Sequence, residues 1–327
     1  MPIAVTGSIA TDHLMVFPGR FVDQLLPDQL AHLSLSFLVD RLEVRRGGVA
    51  ANIAFGLGGF GLSPLLVGAV GTDFAEYEVW LKEHGVDTGG VRVSAERQTA
   101  RFMCITDEDA NQIASFYTGA MAEASDIDLR AVFTGTGRPD LVLVAPDDPS
   151  AMLRHTAGCR SLGIPFAADP SQQLARLDGG QVRELVAGAT WLFTNEYEAA
   201  LLQERTDWSS AEVLAAVGTW VTTLGEKGVR IERAGLAPLT VPAVPGIEPA
   251  DPTGVGDAFR AGFLAAVSHG VPLESAARLG CALASVALGA VGSQSYTTDL
   301  AQLSAVVEQT YGPGAAGPLA PVLGEPS

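Results

Sequence analysis

Six short, mostly apolar runs alternate with helix-like segments, and this alternation constrains the fold more than any other feature of the chain. The runs cover residues 3–5, 64–70, 141–145, 164–168, 191–194 and 220–224. Each is too short for a helix and apolar at successive positions, as a strand is when both of its faces are buried. Between them, residues 74–84 and 150–162 have helical patterns followed by Gly85 and Gly163. Glycine there suits a helix that ends by turning through positive φ. The expected result is a doubly wound, mainly parallel α/β sheet with helices on both faces. A length of 327 residues suits one large domain with an insertion or two modest ones. The 47% of hydrophobic residues easily supply its core.

Two stretches break the rhythm. Residues 13–46 and 99–119 lack crossover-helix patterns, and within them 35–44 and 101–106 alternate as half-exposed strands do. Neither could bury a core alone. Together they are expected to form a small β-sheet lid inserted in a main domain of residues 1–12, 47–98 and 120–327. An exposed lid edge would favour a homodimer. The Gly-, Pro- and Ala-rich tail from Gly312 is expected to fray.

The formal net charge is −17 with no dense basic cluster, which argues against nucleic acid as a partner. A phosphorylated ligand stays possible, because backbone N–H groups, local side chains and Mg²⁺ can hold it. Cys104, Cys159 and Cys281 form no C-x-x-C pair and read as reduced, buried thiols. Residues 1–14 lack a signal-peptide pattern, and the uncharged stretch 47–72 is interrupted by Asn52, Ser63 and Pro64. The expectation is a soluble, cytoplasmic protein with no membrane partner.

In open parallel sheets, ligands sit beyond the carboxyl ends of the strands. Asp12, Asp169, Asn195 and Gly225 follow predicted strands, although turn chemistry alone accounts for such residues. The strongest local feature is Asp251-Pro252-Thr253-Gly254-Val255-Gly256-Asp257-Ala258-Phe259, leading into an apolar helical segment. Glycines at a helix mouth expose consecutive N–H groups toward an anion, aided by the helix dipole. Asp257 would lie in the first turn, suited to accept a proton from an alcohol during phosphoryl transfer. At Gly256 a methyl group would crowd the phosphoryl oxygens or oppose a positive φ. An N-capping Asp after a flexible loop explains the same residues, and spacing alone does not separate the two readings.

This segment resembles the second signature of the ribokinase (PfkB) carbohydrate kinases, D-T-x-G-A-G-D, with Pro252 and Val255 as departures. Four more segments resemble that family in its order. Gly7-Ser8-Ile9-Ala10-Thr11-Asp12 is similar to its first strand, whose terminal Asp holds sugar hydroxyls. Arg46-Gly47-Gly48-Val49-Ala50-Ala51-Asn52 resembles its sugar-binding G-G-x-x-x-N. Asn195-Glu196-Tyr197-Glu198 resembles its N-x-x-E, tied to Mg²⁺ and phosphate. Thr223-Leu224-Gly225-Glu226-Lys227-Gly228 resembles its T-x-G-x-x-G near the nucleotide. Within the family, segments 34–39, 112–117 and 168–174 are similar to the actinobacterial adenosine kinases.

The resemblance implies a ribokinase-like fold and transfer of the ATP γ-phosphate to the 5′-hydroxyl of adenosine, giving AMP and ADP. Asp257 would be the base, and Gly254 and Gly256 would supply the anion hole. Ser8, Asp12, Gly47, Gly48 and Asn52 would hold the ribose. Phe102 and Phe116 would cover the adenine from the lid, with Gln172 and Gln173 nearby. Ordinary packing of the two rings is the alternative. Asn195, Thr223, Gly225 and Gly228 would bind the nucleotide, and Glu198 would meet Mg²⁺ through water. Some relatives also use a monovalent cation such as K⁺ near the anion hole.

Rival activities remain: a ribokinase or other sugar kinase of the same family, and a catalytically silent nucleoside- or sugar-binding regulator. A nicotinamide-dependent dehydrogenase is excluded, because the two G-x-G-x-x-G matches, at 56–61 and 312–317, lack strand–turn–helix context.

Overall fold

The computed structural model of the protein describes residues 1–24 and 35–324. Its strands, in chain order, are β1 (Ile3–Thr6), β2 (Ala10–Val16), β3 (Arg41–Gly47), β4 (Leu65–Val70), β5 (Asp87–Val93), β6 (Ala100–Thr106), β7 (Gln112–Tyr117), β8 (Leu141–Val144), β9 (Phe166–Ala168), β10 (Trp191–Asn195), β11 (Thr219–Thr223), β12 (Val229–Glu232) and β13 (Leu239–Val241). The large sheet has the order β13-β12-β11-β10-β9-β8-β1-β4-β5, and the small one β3-β2-β6-β7. From β1 the chain winds one way through β4 and β5, then the other way through β8 to β11. All these pairings are parallel. Only β12 and β13 run antiparallel at the edge. The result is the doubly wound, mainly parallel α/β fold with a smaller β-sheet.

The apolar runs are strands because both faces are covered. Along β1, Ile3 and Val5 enter one buried cluster with Leu66, Leu143 and Phe263, whereas Ala4 enters the other with Val67, Val142 and Phe166. Alternate residues of a strand point to opposite faces, so a run buried on both must be apolar throughout. The covering helices are α1 (Val49–Gly59), α2 (Ala75–Glu83), α3 (Pro149–Leu162), α4 (Glu196–Thr206), α5 (Val255–Ser268), α6 (Leu273–Leu288) and α7 (Leu300–Tyr311), besides shorter ones. Helix α3 shows how the sequence sets their ends. Asp148 accepts from the N–H groups of Ser150 and Ala151, Pro149 opens the helix, and Gly163 closes it at φ 61°.

Several expectations are corrected. Strand β5 was invisible in sequence because Gly89 and Gly90 dilute its pattern; at Gly90 a Cβ would lie 2.7 Å from the Leu66 carbonyl. The alternation at 35–44 becomes a strand only from Arg41, because Phe37 packs against Phe17 and Phe21 instead of pairing in a ladder. Strands β2 and β3 run across the boundaries drawn at residues 12 and 46. The tail does not fray as far as Gly324: Leu319 and Val322 are buried against the core. Residues 25–34 of the expected lid, including Ser34, and residues 325–327 of the tail lie outside the described residues. Among the described residues, no helix is long and apolar enough to cross a membrane.

Candidate active site

The winding reverses at β1, between β4 and β8, and the site is built beyond its carboxyl end. The Ser8 hydroxyl accepts from the Val49 N–H at 3.1 Å and its carbonyl from the Ala50 N–H at 3.2 Å, strapping the start of α1 to β1. Gly48 sits at the mouth of α1 with φ 93°, where a Cβ would fall 2.6 Å from both the Ala10 nitrogen and the Ser8 carbonyl. Only glycine fits. At Gly47 a Cβ would meet a carboxylate oxygen of Asp12 at 2.8 Å. Asp12 therefore lies directly against Gly47.

The sequence places Asp12 at the end of the first strand; the structure places it inside β2, in the small sheet. That position aligns a row across the sheet. Asp12 is in register with Arg45 on β3 and Phe102 on β6, and Phe102 with Phe116 on β7. Register partners share a face, so Arg45, Asp12, Phe102 and Phe116 line one side. Phe116 is 48% exposed, so its ring is not a packed core residue. Burial raises the Asp12 pKa to about 6, with Arg45 opposing the rise and Asp251 adding to it.

The second signature forms the start of α5. Gly254 is the cap, at φ 79°, and a Cβ there would lie 2.5 Å from the Ser293 Cβ. Gly256 is already helical and has no positive φ, contrary to the sequence expectation; its nearest constraint is Arg260 Nη1, 3.0 Å from a would-be Cβ. Asp257 is the third residue of the helix. Asn52 Nδ2 donates to Asp257 Oδ2 at 2.8 Å. Ser293 Oγ at 3.0 Å and Gln294 Nε2 at 2.9 Å donate to the other end of the amide, Asn52 Oδ1, fixing which end faces Asp257. Burial pushes the Asp257 pKa up to about 6; Arg260 and the Asn52 bond oppose this, and Glu198 adds to it.

Around the next turn, Arg260 Nη2 donates to Asp169 Oδ1 at 2.7 Å, and Nη1 donates to the Gly256 carbonyl at 3.0 Å. Asp169 follows β9 and leads into a single 3₁₀ turn, Ser171–Ala175. In that turn Gln172 is exposed, whereas Gln173 is buried with its Oε1 unpartnered. The Ser171 hydroxyl donates to Glu198 Oε1 at 3.2 Å. Ser171 has φ 44°, a left-handed conformation unusual for serine.

Asn195 and Thr223 end adjacent strands in register. Asn195 and Glu198 close a capping box on α4: the Asn195 side chain accepts from the Glu198 N–H, and Glu198 from the Asn195 N–H, each at 2.7 Å. Gly225 and Gly228 have φ 59° and 98°, and a Cβ at Gly228 would meet the Val241 carbonyl. Among the described residues no three His, Cys, Asp or Glu gather as a dedicated metal cage would. A lone, largely buried Glu198 fits Mg²⁺, which keeps its waters and is held chiefly by nucleotide phosphates.

Sequence reasoning missed Arg260, Ser293, Gln294 and the serine at the head of the 3₁₀ turn. A legible signal existed for one of them: Arg260 is a cation inside an otherwise apolar helical run. The others touch the site only through folding, and Gln294 is 242 residues from its partner Asn52.

Comparison with known proteins identifies the family. Residues 8–299 match the pfkB family of carbohydrate kinases. The nucleoside kinase of Methanothermobacter thermautotrophicus is 32% identical over 276 residues, covering 83% of this chain and 87% of the relative. The ribokinase of Bacillus subtilis is 28% identical over 76% of this chain and 83% of its own. The nucleoside kinase of Burkholderia thailandensis, solved in complex with inosine, superposes with a TM-score of 0.82 at 33% identity, covering 94% of this chain and 98% of that one.

Proposed function

This chain belongs to the pfkB family and is an ATP-dependent sugar or nucleoside kinase, and from that premise we propose that its acceptor is adenosine, phosphorylated at the 5′-hydroxyl to give AMP and ADP. The observation that carries the reading is the row Asp12–Phe102–Phe116. It runs two strand spacings, roughly 10 Å, a span that suits a nucleoside better than a lone sugar. Asp12, with Gly47, Gly48 and Asn52, holds the ribose, and the two rings cover the base. Family membership with Asp257 and both glycines in place leaves no support for a silent regulator.

The 5′-oxygen attacks the γ-phosphorus in line, the bond to the ADP oxygen breaks, and Asp257 accepts the hydroxyl proton. Asn52, held at its far end by Ser293 and Gln294, orients the Asp257 carboxylate. The N–H groups at the start of α5 face the charge on the transferring phosphoryl. Glu198 would hold Mg²⁺ through water, and the ion when bound would neutralise phosphate charge. Closure of the small sheet excludes water from the reaction. K⁺ dependence remains part of this proposal and is read by replacing K⁺ with Na⁺ or choline in the same assay.

Two copies pair through the small sheet, whose outer face carries Leu42, Val44 and Ile113 at 60%, 56% and 45% exposure; light scattering reports the stoichiometry. A second reading, phosphorylation of inosine, is favoured by the similarity to the inosine-bound kinase. The direct test is Phe116→Ala. It should raise KM for adenosine far more than KM for ribose, and an equal effect on both would remove the ring from the base site.

A further inference from the structure

The mechanism assigned so far leaves one buried ionic group without a role. Arg260 and Asp169 are 91 positions apart, and their side chains are 8% and 0% exposed. The contact is two-pronged: Nη2 donates to Oδ1 at 2.7 Å, and Nε stands 2.5 Å from Oδ2 in ion-pair contact without hydrogen-bond alignment. The remaining fork nitrogen holds the Gly256 carbonyl, one residue before the base. A buried ion pair adds little stability over well-packed apolar residues, so packing alone does not explain an arginine between Phe259 and Ala261. The guanidinium also interacts with Asp257 and Glu198, making it the cation that three buried or part-buried carboxylates share.

We propose that Arg260, clamped by Asp169, is a positioning residue for phosphoryl transfer, holding the first turn of α5 in place and balancing the charge of the base Asp257. This inference rests on the kinase reading given above. Asp169 anchors the clamp at the end of β9, next to the 3₁₀ turn that carries Gln172 and Gln173. The turn beside the acceptor base and the helix carrying the catalytic base are thereby joined through one fork. Asp257 is faced by Arg260 from its own helix, Asn52 from α1, Asp169 from the end of β9, Glu198 from α4 and Tyr296 from the segment after α6. Arg260 is the only cation of that set. Without it, the carboxylate is left in the field of the Glu198 and Asp169 carboxylates with the Asn52 amide as its hydrogen-bond partner. Its proton affinity then rises, in the same direction as its burial already drives it.

The test compares kcat against pH, acceptor KM and melting temperature for Arg260→Gln, Arg260→Lys and the neutral pair Asp169→Asn with Arg260→Gln. The paired variant does not leave Asp169 as an unpaired buried charge, so it keeps the question answerable if the single change fails to fold. In any folded variant lacking the cation, kcat at pH 7 should fall roughly 10–10²-fold. In Arg260→Gln the acidic limb of kcat should move up by about 1 pH unit with acceptor KM little changed, and in the pair it should move up less, because losing Asp169 removes a negative charge that also favours protonation of Asp257. Arg260→Lys should return the limb toward its original position, because it restores charge without the fork. A folded variant with unchanged kcat and an unmoved limb, whatever its melting temperature, overturns the proposal and leaves the pair as structural cement. Failure of the kinase reading itself looks different: the unaltered chain would then release no ADP with any nucleoside or sugar.

Discussion

Asp257 carries the chemical claim. Replacing it by Asn is nearly isosteric and retains a partner for Asn52, so the fold and acceptor KM should survive while kcat drops roughly 10²–10⁴-fold. A base must be deprotonated to act. With its pKa raised to about 6, turnover of the unaltered protein should fall as pH drops through that value. A pH-independent kcat between 5 and 8, or normal turnover in Asp257→Asn, removes Asp257 from the mechanism. A different carboxylate affects stability. Asp147 is buried with Oδ2 unpartnered, and burial pushes its pKa up to about 8. A folded-state pKa above the unfolded value gives stability that is fully present below the unfolded pKa near 3.8 and is lost as pH rises toward 8. Asp147→Asn should therefore raise the melting temperature at pH 8 and change it little at pH 4. A lower melting temperature at pH 8 would show that the charged form is held by something favourable.

At the scale of elements, legibility followed burial. The runs at β1, β4 and β8 were readable because all their residues are buried and the code is redundant. Strand β5 was not, since an edge strand with two glycines has only a weak alternation left. The signature segments were legible as order along the chain, but not their distribution between two sheets. Asp12 shows the consequence: linear matching attached it to the first strand, and folding carries it into β2 beside the lid phenylalanines. The row makes its own prediction. Asp12→Ala should raise acceptor KM and leave ATP affinity nearly unchanged, because the hydroxyls it orients lose their acceptor in a closed site. If the residue only supports the strand, the melting temperature falls and KM does not move.

For the molecule as a whole, the class of reaction was readable before any coordinates, and the coupling between parts was not. Five short segments specify a kinase. The contacts that join them, Asn52 to Asp257 and Arg260 to Asp169, span 205 and 91 residues. No local pattern encodes such pairs, because each residue type is chosen for a partner that only the sheet topology brings near. The acceptor is the same kind of property, set jointly by the small sheet and the switch point of the large one. A single measurement tests it: ADP release from ATP with adenosine, inosine, ribose and fructose at matched concentrations. Adenosine should lead ribose and fructose in kcat/KM by at least ~10²-fold, since a stacked, desolvated base adds binding that a bare sugar lacks. Inosine should fall below adenosine, because its carbonyl reverses the hydrogen-bond polarity at the exocyclic edge. Equal efficiency with ribose and adenosine, or inosine leading the series, would contradict the assignment of adenosine as the acceptor.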